Sequence, residues 1–375
     1  MRIAIDYTAA VCQGAGIGRY TRQLTQALLA LDPENRYVLL SAGGKRTEPP
    51  WPPNVRRRTL PLSDHHLAMI WQRLRLPLFA ECLTGAVDLF HSPDFVLPPL
   101  LKARSVVTIH DLSFMRLPQC SAPSLLEYLM RSVPRAARRA DAILADSHST
   151  REDVIELLDV APERVHVIYA GVDERFAPQP AEAVREVTSR HGLRTPYLLA
   201  VGTLQPRKNY PILMQAFAAL RKRASLPHTL AIVGGRGWLT EEIDATIARL
   251  GLEDQVQLLG FAPDADLPAL YTGASLLAFP SLYEGFGLPA LEAMACGTPV
   301  VGSTAPSLPE VCGDAALLVD PTDATGLADA LERVLIDEEL AHTLVSRGRR
   351  RAAQFRWEDA AANLLSVYRQ VVGQV

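Results

Sequence analysis

The chain has 375 residues, 48% hydrophobic and 21% charged, with a net charge of −3, which is ordinary for a soluble globular protein and too long for one typical domain. No apolar run approaches the roughly 18 residues that a membrane span needs, and Asp6 falls where a signal peptide would carry its apolar core. The five cysteines (Cys12, Cys82, Cys120, Cys296 and Cys312) lack zinc-ligand spacing and read as free thiols in a reducing cytosol, so a cytoplasmic location is expected.

In chain order, Arg2–Tyr7 is predicted as a strand, Gly18–Leu31 as a helix, and Tyr37–Leu40, Leu89–His91, Ser105–His110, Ala142–Ala145 and His166–Tyr169 as further strands. After residue 172 the pattern restarts. Strands are expected at Tyr197–Val201, Thr229–Val233, Val256–Leu259, Leu276–Phe279, Pro299–Val301 and Ala316–Val319, with helices between them. Strand–helix alternation of this kind implies an α/β fold of two doubly wound domains. The polar stretch 173–191, with Pro178 and Pro180, reads as the linker between a domain of residues 1–172 and one of residues 192–356. Ligands of such sheets bind beyond the carboxyl ends of the strands, so the loops that follow them hold the candidate chemistry.

Four loops stand out. Gly14-Ala15-Gly16-Ile17-Gly18-Arg19 follows the first strand and precedes a helix, an arrangement that lets backbone N–H groups meet an anion. A tight turn packed for steric reasons is the other reading of these glycines. His110-Asp111 ends an apolar strand, where His110 suits a bond to a sugar hydroxyl or a proton transfer, or a structural role. Gly202 to Asn209 carries Arg207 and Lys208 out of the first strand of the second half. Lysine is rare here, at Lys45, Lys102, Lys208 and Lys222 only, and two adjacent cations suit a diphosphate. The most specific wording is Pro280-Ser281-Leu282-Tyr283-Glu284-Gly285-Phe286-Gly287-Leu288-Pro289, with Glu292 following inside the helix that Pro289 should open. Carboxylates accept pairs of hydrogen bonds from sugar diols.

With these loops the chain resembles the family of retaining GT-B glycosyltransferases often called family 4, or group 1, which includes bacterial α-mannosyltransferases. The likeness is dense from Gly202 to Pro321 and looser over residues 40–100. It implies two Rossmann-like domains facing a central cleft, with a C-terminal helix from about Trp357 to Val375 crossing back onto the first. It also implies that Arg207 and Lys208 hold the diphosphate of a donor sugar, assisted by amides near Gly16, Ile17, Gly18 and Leu288. Glu292 would bind the ribose. Glu284, His110 and the amides of Phe286 and Gly287 would hold the donor sugar, and Gly260-Phe261 would meet the base. His110, Glu284, Arg207 and Lys208 are the candidate catalytic set. Many relatives place the lysine several residues after the arginine, whereas Lys208 is adjacent to Arg207 here.

The expected reaction is transfer of a hexose, mannose first, from a GDP- or UDP-linked donor to a glycan or lipid-linked acceptor. Two cations and two helix N-termini can stabilise the departing diphosphate, so neither metal nor cofactor is expected. Asp264-Ala265-Asp266 spells a string that metal-dependent transferases use, but it lies just before a helix pattern and reads as a cap. Residues 45–139 hold 14 Lys and Arg against 7 Asp and Glu, and the segment His65–Leu76 mixes apolar, aromatic and basic residues around Trp71. Arg131, Arg135, Arg138 and Arg139 form a second basic cluster. These features fit peripheral contact with the inner face of a membrane or, for His65–Leu76, an ordinary amphipathic core helix. Nucleic acid is not an expected partner, since no known reader motif occurs. A nucleotide-sugar 2-epimerase of similar layout and a non-catalytic sugar-nucleotide binder are the alternatives.

Overall fold

The computed structural model describes residues 1–14, 16–43, 50–74, 76–223 and 226–373. Ala15, Lys45 and Arg75, which figured in the sequence reading, lie outside the described residues. The chain divides into two compact units. Met1–Met115, Ser124–Gly171 and Arg356–Val375 form the first, and Arg116–Pro123 with Val172–Phe355 form the second.

In the first unit the described strands are β1 (Arg2–Asp6), β2 (Arg36–Ala42), β3 (Val55–Leu60), β4 (Leu89–Ser92), β5 (Arg104–Ile109), β6 (Ala142–Ala145) and β7 (Val165–Val167). They form a parallel sheet in the order β3-β2-β1-β4-β5-β6-β7. Runs such as Ile3-Ala4-Ile5 and Val106-Val107 are buried on both faces, as parallel strands covered by helices must be. The strand β3, Val-Arg-Arg-Arg-Thr-Leu, was not anticipated. It is one of the two edge strands of this sheet as described and exposes Arg56, Arg57 and Arg58, so it lacks the apolar pattern that marks its neighbours. Charge on an edge strand opposes unwanted pairing with another sheet.

The helix Gly16–Leu31 starts two residues earlier than expected. The C-terminal helix Trp357–Val372 belongs to this same unit and packs along it. Tyr20 meets Trp357 edge-on at 5.8 Å between ring centroids. Deeper in, the Tyr368 hydroxyl lies 2.6 Å from Nδ1 of His91, whose Nε2 reaches Thr108 Oγ1 at 3.0 Å. Within the amphipathic segment His65–Leu76, Leu67 and Trp71 are buried, and the Trp71 indole donates to the Leu78 carbonyl at 2.9 Å. The core-helix reading therefore describes these two side chains, while Leu74 and Leu76 remain exposed.

The second unit repeats the plan with β8 (Tyr197–Val201), β9 (Thr229–Val233), β10 (Val256–Gly260), β11 (Leu276–Phe279), β12 (Val300–Ser303) and β13 (Ala316–Val319). Their order is β10-β9-β8-β11-β12-β13, again parallel. Leu213 and Phe217 from one flanking helix and Leu327 and Leu331 from another share its core. The expected linker 173–191 needs correction, because Ala181–Arg190 is a helix of this unit. The prolines were read as breakers, yet Pro180 stands just before the helix, where its missing N–H is harmless. Val184 packs so closely against Gly273 that a Cβ there would come within 2.6 Å of it.

In each sheet the chain order reverses once, between β1 and β4 and between β8 and β11. Loops leaving the carboxyl ends of such neighbouring strands splay apart and leave a crevice for ligands. The two units are thus parallel-sheet α/β folds of the GT-B class.

Candidate active site

In the second unit the loops after β8 and β11 meet at the reversal. Lys208 Nζ lies 2.6 Å from Glu284 Oε1, and Arg207 Nη1 lies 3.1 Å from Glu284 Oε2. Arg207 also donates to the Tyr283 carbonyl at 2.6 Å, and the Leu282 amide donates back to the Arg207 carbonyl at 2.9 Å. The three charged side chains are only 8–15% exposed. Burial alone would raise the carboxyl pKa of Glu284, but Lys208 and then Arg207 outweigh it and hold it down at about 2. Lys208 further lies 5.0 Å from the centre of the Phe279 ring.

Local conformation explains how adjacent cations reach one carboxylate. Pro206–Lys208 form a single tight 3-10 turn, and Asn209 ends it with a left-handed backbone at φ +59°. Asparagine tolerates that region, and its amide is used as well, donating to the carbonyls of Pro280 at 3.0 Å and Pro321 at 2.7 Å. Gly202 leaves room for the lysine, since a Cβ there would come 3.0 Å from Lys208 Cε.

Gly287, at φ +101°, turns the second loop into the helix Leu288–Ala295. Any larger residue would drive its Cβ to 2.6 Å from Leu308 Cδ2. Ser307 Oγ braces the turn from below, 3.0 Å from the Glu284 carbonyl and 3.1 Å from the Phe286 carbonyl. Phe286, Gly287 and Leu288 thereby lead their amides into a helix start, where N–H groups suit anionic oxygens. Glu292, in the second turn of that helix, is buried and accepts the Tyr271 hydroxyl at 2.8 Å. At the far side of the sheet Gly260 ends β10 at φ +70°, and Phe261 is 62% exposed.

Asp266 occupies the position before the helix Leu267–Thr272, as expected, but its side chain makes no capping bond. It accepts instead from Arg190 at 2.9 Å and faces His191 Nε2 at 2.8 Å, which corrects the capping assignment. The helix Ala181–Arg190 brings those partners, and it was missed in the sequence. Among the described residues no three His, Cys, Asp or Glu side chains come together as a metal site.

In the first unit the glycine-rich loop divides its roles. Gly16 begins the helix with open space around its Cα, and Ile17 follows half-buried. Gly18 is steric, because a Cβ there would meet the Gln13 carbonyl oxygen at 2.1 Å. His110 is buried at the end of β5. Its Nδ1 lies 2.7 Å from Asp146 Oδ2 and its Nε2 lies 2.8 Å from the Pro93 carbonyl. Burial would lower the imidazole pKa, but the Asp146 carboxylate, helped by Asp94, raises it to about 9.

Asp146, Ser307, Tyr271 and Gly234 are not among the residues that the sequence singles out. Asp146 directly follows an apolar strand, the same signal that singled out His110. Gly234 closes on the backbone of Gly202, where a Cβ would meet the carbonyl oxygen at 1.9 Å, and its place just after β9 was the available sign.

Two family models cover most of the chain: Glycosyltransferase Family 4 over residues 14–176 and Glycosyl transferases group 1 over residues 186–351. The O-antigen chain mannosyltransferase B of Escherichia coli is 32% identical over 368 residues, 94% of this chain and 96% of that protein. The serotype-specific mannosyltransferase WbdA of the same species is 36% identical over 246 residues, 64% of this chain but 30% of its own length. Among solved structures, HepE of Anabaena in complex with UDP and glucose has a TM-score of 0.76 at 21% identity, covering 99% of this chain and 100% of that one. The chain belongs to the group 1, family 4 glycosyltransferases, and it is a glycosyltransferase.

Proposed function

We propose that the protein is a retaining, metal-independent mannosyltransferase of polysaccharide synthesis that uses GDP-mannose as donor and a glycan or lipid-linked sugar as acceptor. The observation that carries this reading is the buried Arg207–Lys208–Glu284 cluster at the reversal between β8 and β11. Mannose is favoured by the names of the relatives quoted above. Donors carrying UDP form the second reading, because HepE, of like fold, was solved with UDP and glucose.

Breaking the anomeric bond leaves negative charge on the nucleotide diphosphate. Arg207, Lys208 and the amides that open the Leu288–Ala295 helix supply fixed positive charge and donors for it. In the free protein both cations are paired with Glu284. The arriving diphosphate would take over part of that pairing, and Glu284 would then accept hydroxyl hydrogens of the sugar. Glu292 would hold the ribose, Gly260 and Phe261 the base, and Gly16, Ile17 and Gly18 would add amides to the donor phosphates. His110 would donate to the sugar. The acceptor oxygen would attack on the face from which the diphosphate leaves: its bond to the anomeric carbon forms as the carbon–phosphate oxygen bond breaks, and its proton passes to the departing phosphate. Asp266 is engaged by Arg190 and His191, which supports a reaction without a metal bound there.

The acceptor would bind the first unit, whose exposed Arg56, Arg57 and Arg58 suit anionic head groups at the inner face of a membrane. Among the described residues no helix is long and apolar enough to cross one. The test is transfer from GDP-mannose in the presence of chelator, with the product's anomeric configuration read by NMR. Glu284→Ala and His110→Ala should lose transfer and keep nucleotide binding. A β-linked product, or hydrolysis or epimerisation with no acceptor consumed, would overturn the assignment.

A further inference from the structure

The buried side chains around His110 carry one step more. We propose that Asp146 is a positioning residue, whose carboxylate fixes the His110 ring through Nδ1 and keeps Nε2–H, which meets the Pro93 carbonyl in the free protein, placed at the end of β5 for a sugar hydroxyl to share. The role rests on the reading of His110 as a donor to the sugar.

Both ring nitrogens face oxygens. The Pro93 carbonyl can only accept, so Nε2 at 2.8 Å carries a hydrogen. Asp146 Oδ2 at 2.7 Å from Nδ1 takes the second. A ring with N–H on both sides is an imidazolium, a donor and a positive charge rather than a base. Its plane is clamped by Tyr20 and Phe95, edge-on at 4.8 and 5.5 Å between centroids.

The segment after β6 is built to hold this pair. Ser147 caps the helix His148–Leu158 by accepting from the Thr150 amide, and Thr150 Oγ1 donates to the His110 carbonyl at 3.3 Å. Backbone and side chain of His110 are thus held from one turn. Asp146 Oδ1 is buried and has no hydrogen-bond partner among the described residues. A carboxylate left half-satisfied in the interior costs stability, and an apolar residue of similar size would serve packing better. Among the described residues its one bonded partner is His110, and that is where its use lies. The other charged or titratable groups facing the pair are Asp94, Asp111, His91 and Tyr20. His91 is held neutral by burial, so Asp94 is the second carboxylate that acts on the ring.

The experiment uses full-length protein labelled with 15N-histidine, the His110 signals being identified by their loss in His110→Gln. In the wild type His110 should be doubly protonated at pH 7.5. In Asp146→Asn it should titrate at least two pH units lower and so be mostly neutral there, and Asp146→Glu should move it back. Transfer by Asp146→Asn should fall at least tenfold at pH 8 and recover toward pH 6, with the donor KM changed less than kcat. An unchanged His110 titration in Asp146→Asn would overturn the proposal. So would an activity loss equal at every pH that tracks a lowered melting temperature. If the asparagine variant does not fold, Asp146→Ser takes its place in the same titration. The NMR result stands whether or not the protein transfers mannose, so failure of the donor assignment is read separately, as no transfer by the wild type.

Discussion

Replacing Glu284 by glutamine should strengthen the binding of a nucleoside diphosphate while it weakens sugar transfer. Glutamine keeps the shape and removes the charge that both Arg207 and Lys208 contact. Breaking a buried, hydrogen-bonded ion pair by removing one partner costs about 3 kcal/mol or somewhat more, which for a unit of this size lowers the melting temperature by roughly 6–12 °C. The bound diphosphate resupplies negative charge to the two cations, so much of that cost should return on binding. A recovery of about 1.4 kcal/mol corresponds to tenfold tighter binding, and at least that gain is expected for GDP by calorimetry. GDP-mannose should lose much of its advantage over GDP in the variant, because a neutral amide with one acceptor oxygen replaces the carboxylate that would take its hydroxyls. The transfer rate should fall about 100-fold or more, as for loss of an electrostatic contact to the reacting group. Equal or weaker GDP binding by a folded Glu284→Gln protein would instead make Glu284 a scaffold that holds Lys208 in place.

Burial holds His91 neutral, with a pKa of about 3. The unfolded chain takes up a proton near pH 6.5, so this group's contribution is intact above that pH and is lost as pH falls toward 3, by at most about 5 kcal/mol; His91→Gln should flatten the acid limb of a melting curve series. His110 has the opposite sign, since its pKa is raised to about 9. Its stabilisation is complete below pH 6.5 and fades as pH rises through 9, a slope that His110→Gln should abolish in the same series. Gly287→Ala should destabilise by about 1–3 kcal/mol, measured by urea unfolding, because φ +101° and Leu308 leave no room for a Cβ. Sedimentation with anionic vesicles at low salt should retain the protein, and Arg56→Glu with Arg58→Glu should release it. No binding by the wild type would remove the membrane contact.

Much of the architecture was legible because parallel strands buried on both faces are short apolar runs, as at Thr229–Val233. The edge strand β3 was not, since its arginines carry no burial signal. The helix Ala181–Arg190 hid behind Pro178 and Pro180, which mark its start rather than a linker. At the candidate site, the rule that strand ends carry chemistry pointed to Arg207, Lys208, Glu284 and His110. It could not show that the cations and Glu284 bond one another across 76 and 77 positions of sequence. Nor could it show that Ser307 braces the turn, because Ser307 comes from another loop, after β12.

On this reading the protein binds a nucleoside diphosphate through Arg207, Lys208 and helix amides without a metal. Calorimetric titration of the purified protein with GDP, UDP and ADP, each with magnesium and with chelator, tests it most directly. A clear preference for GDP, the same in chelator, is the expected result. Binding that requires magnesium, or no binding of any of the three by folded protein, would contradict it.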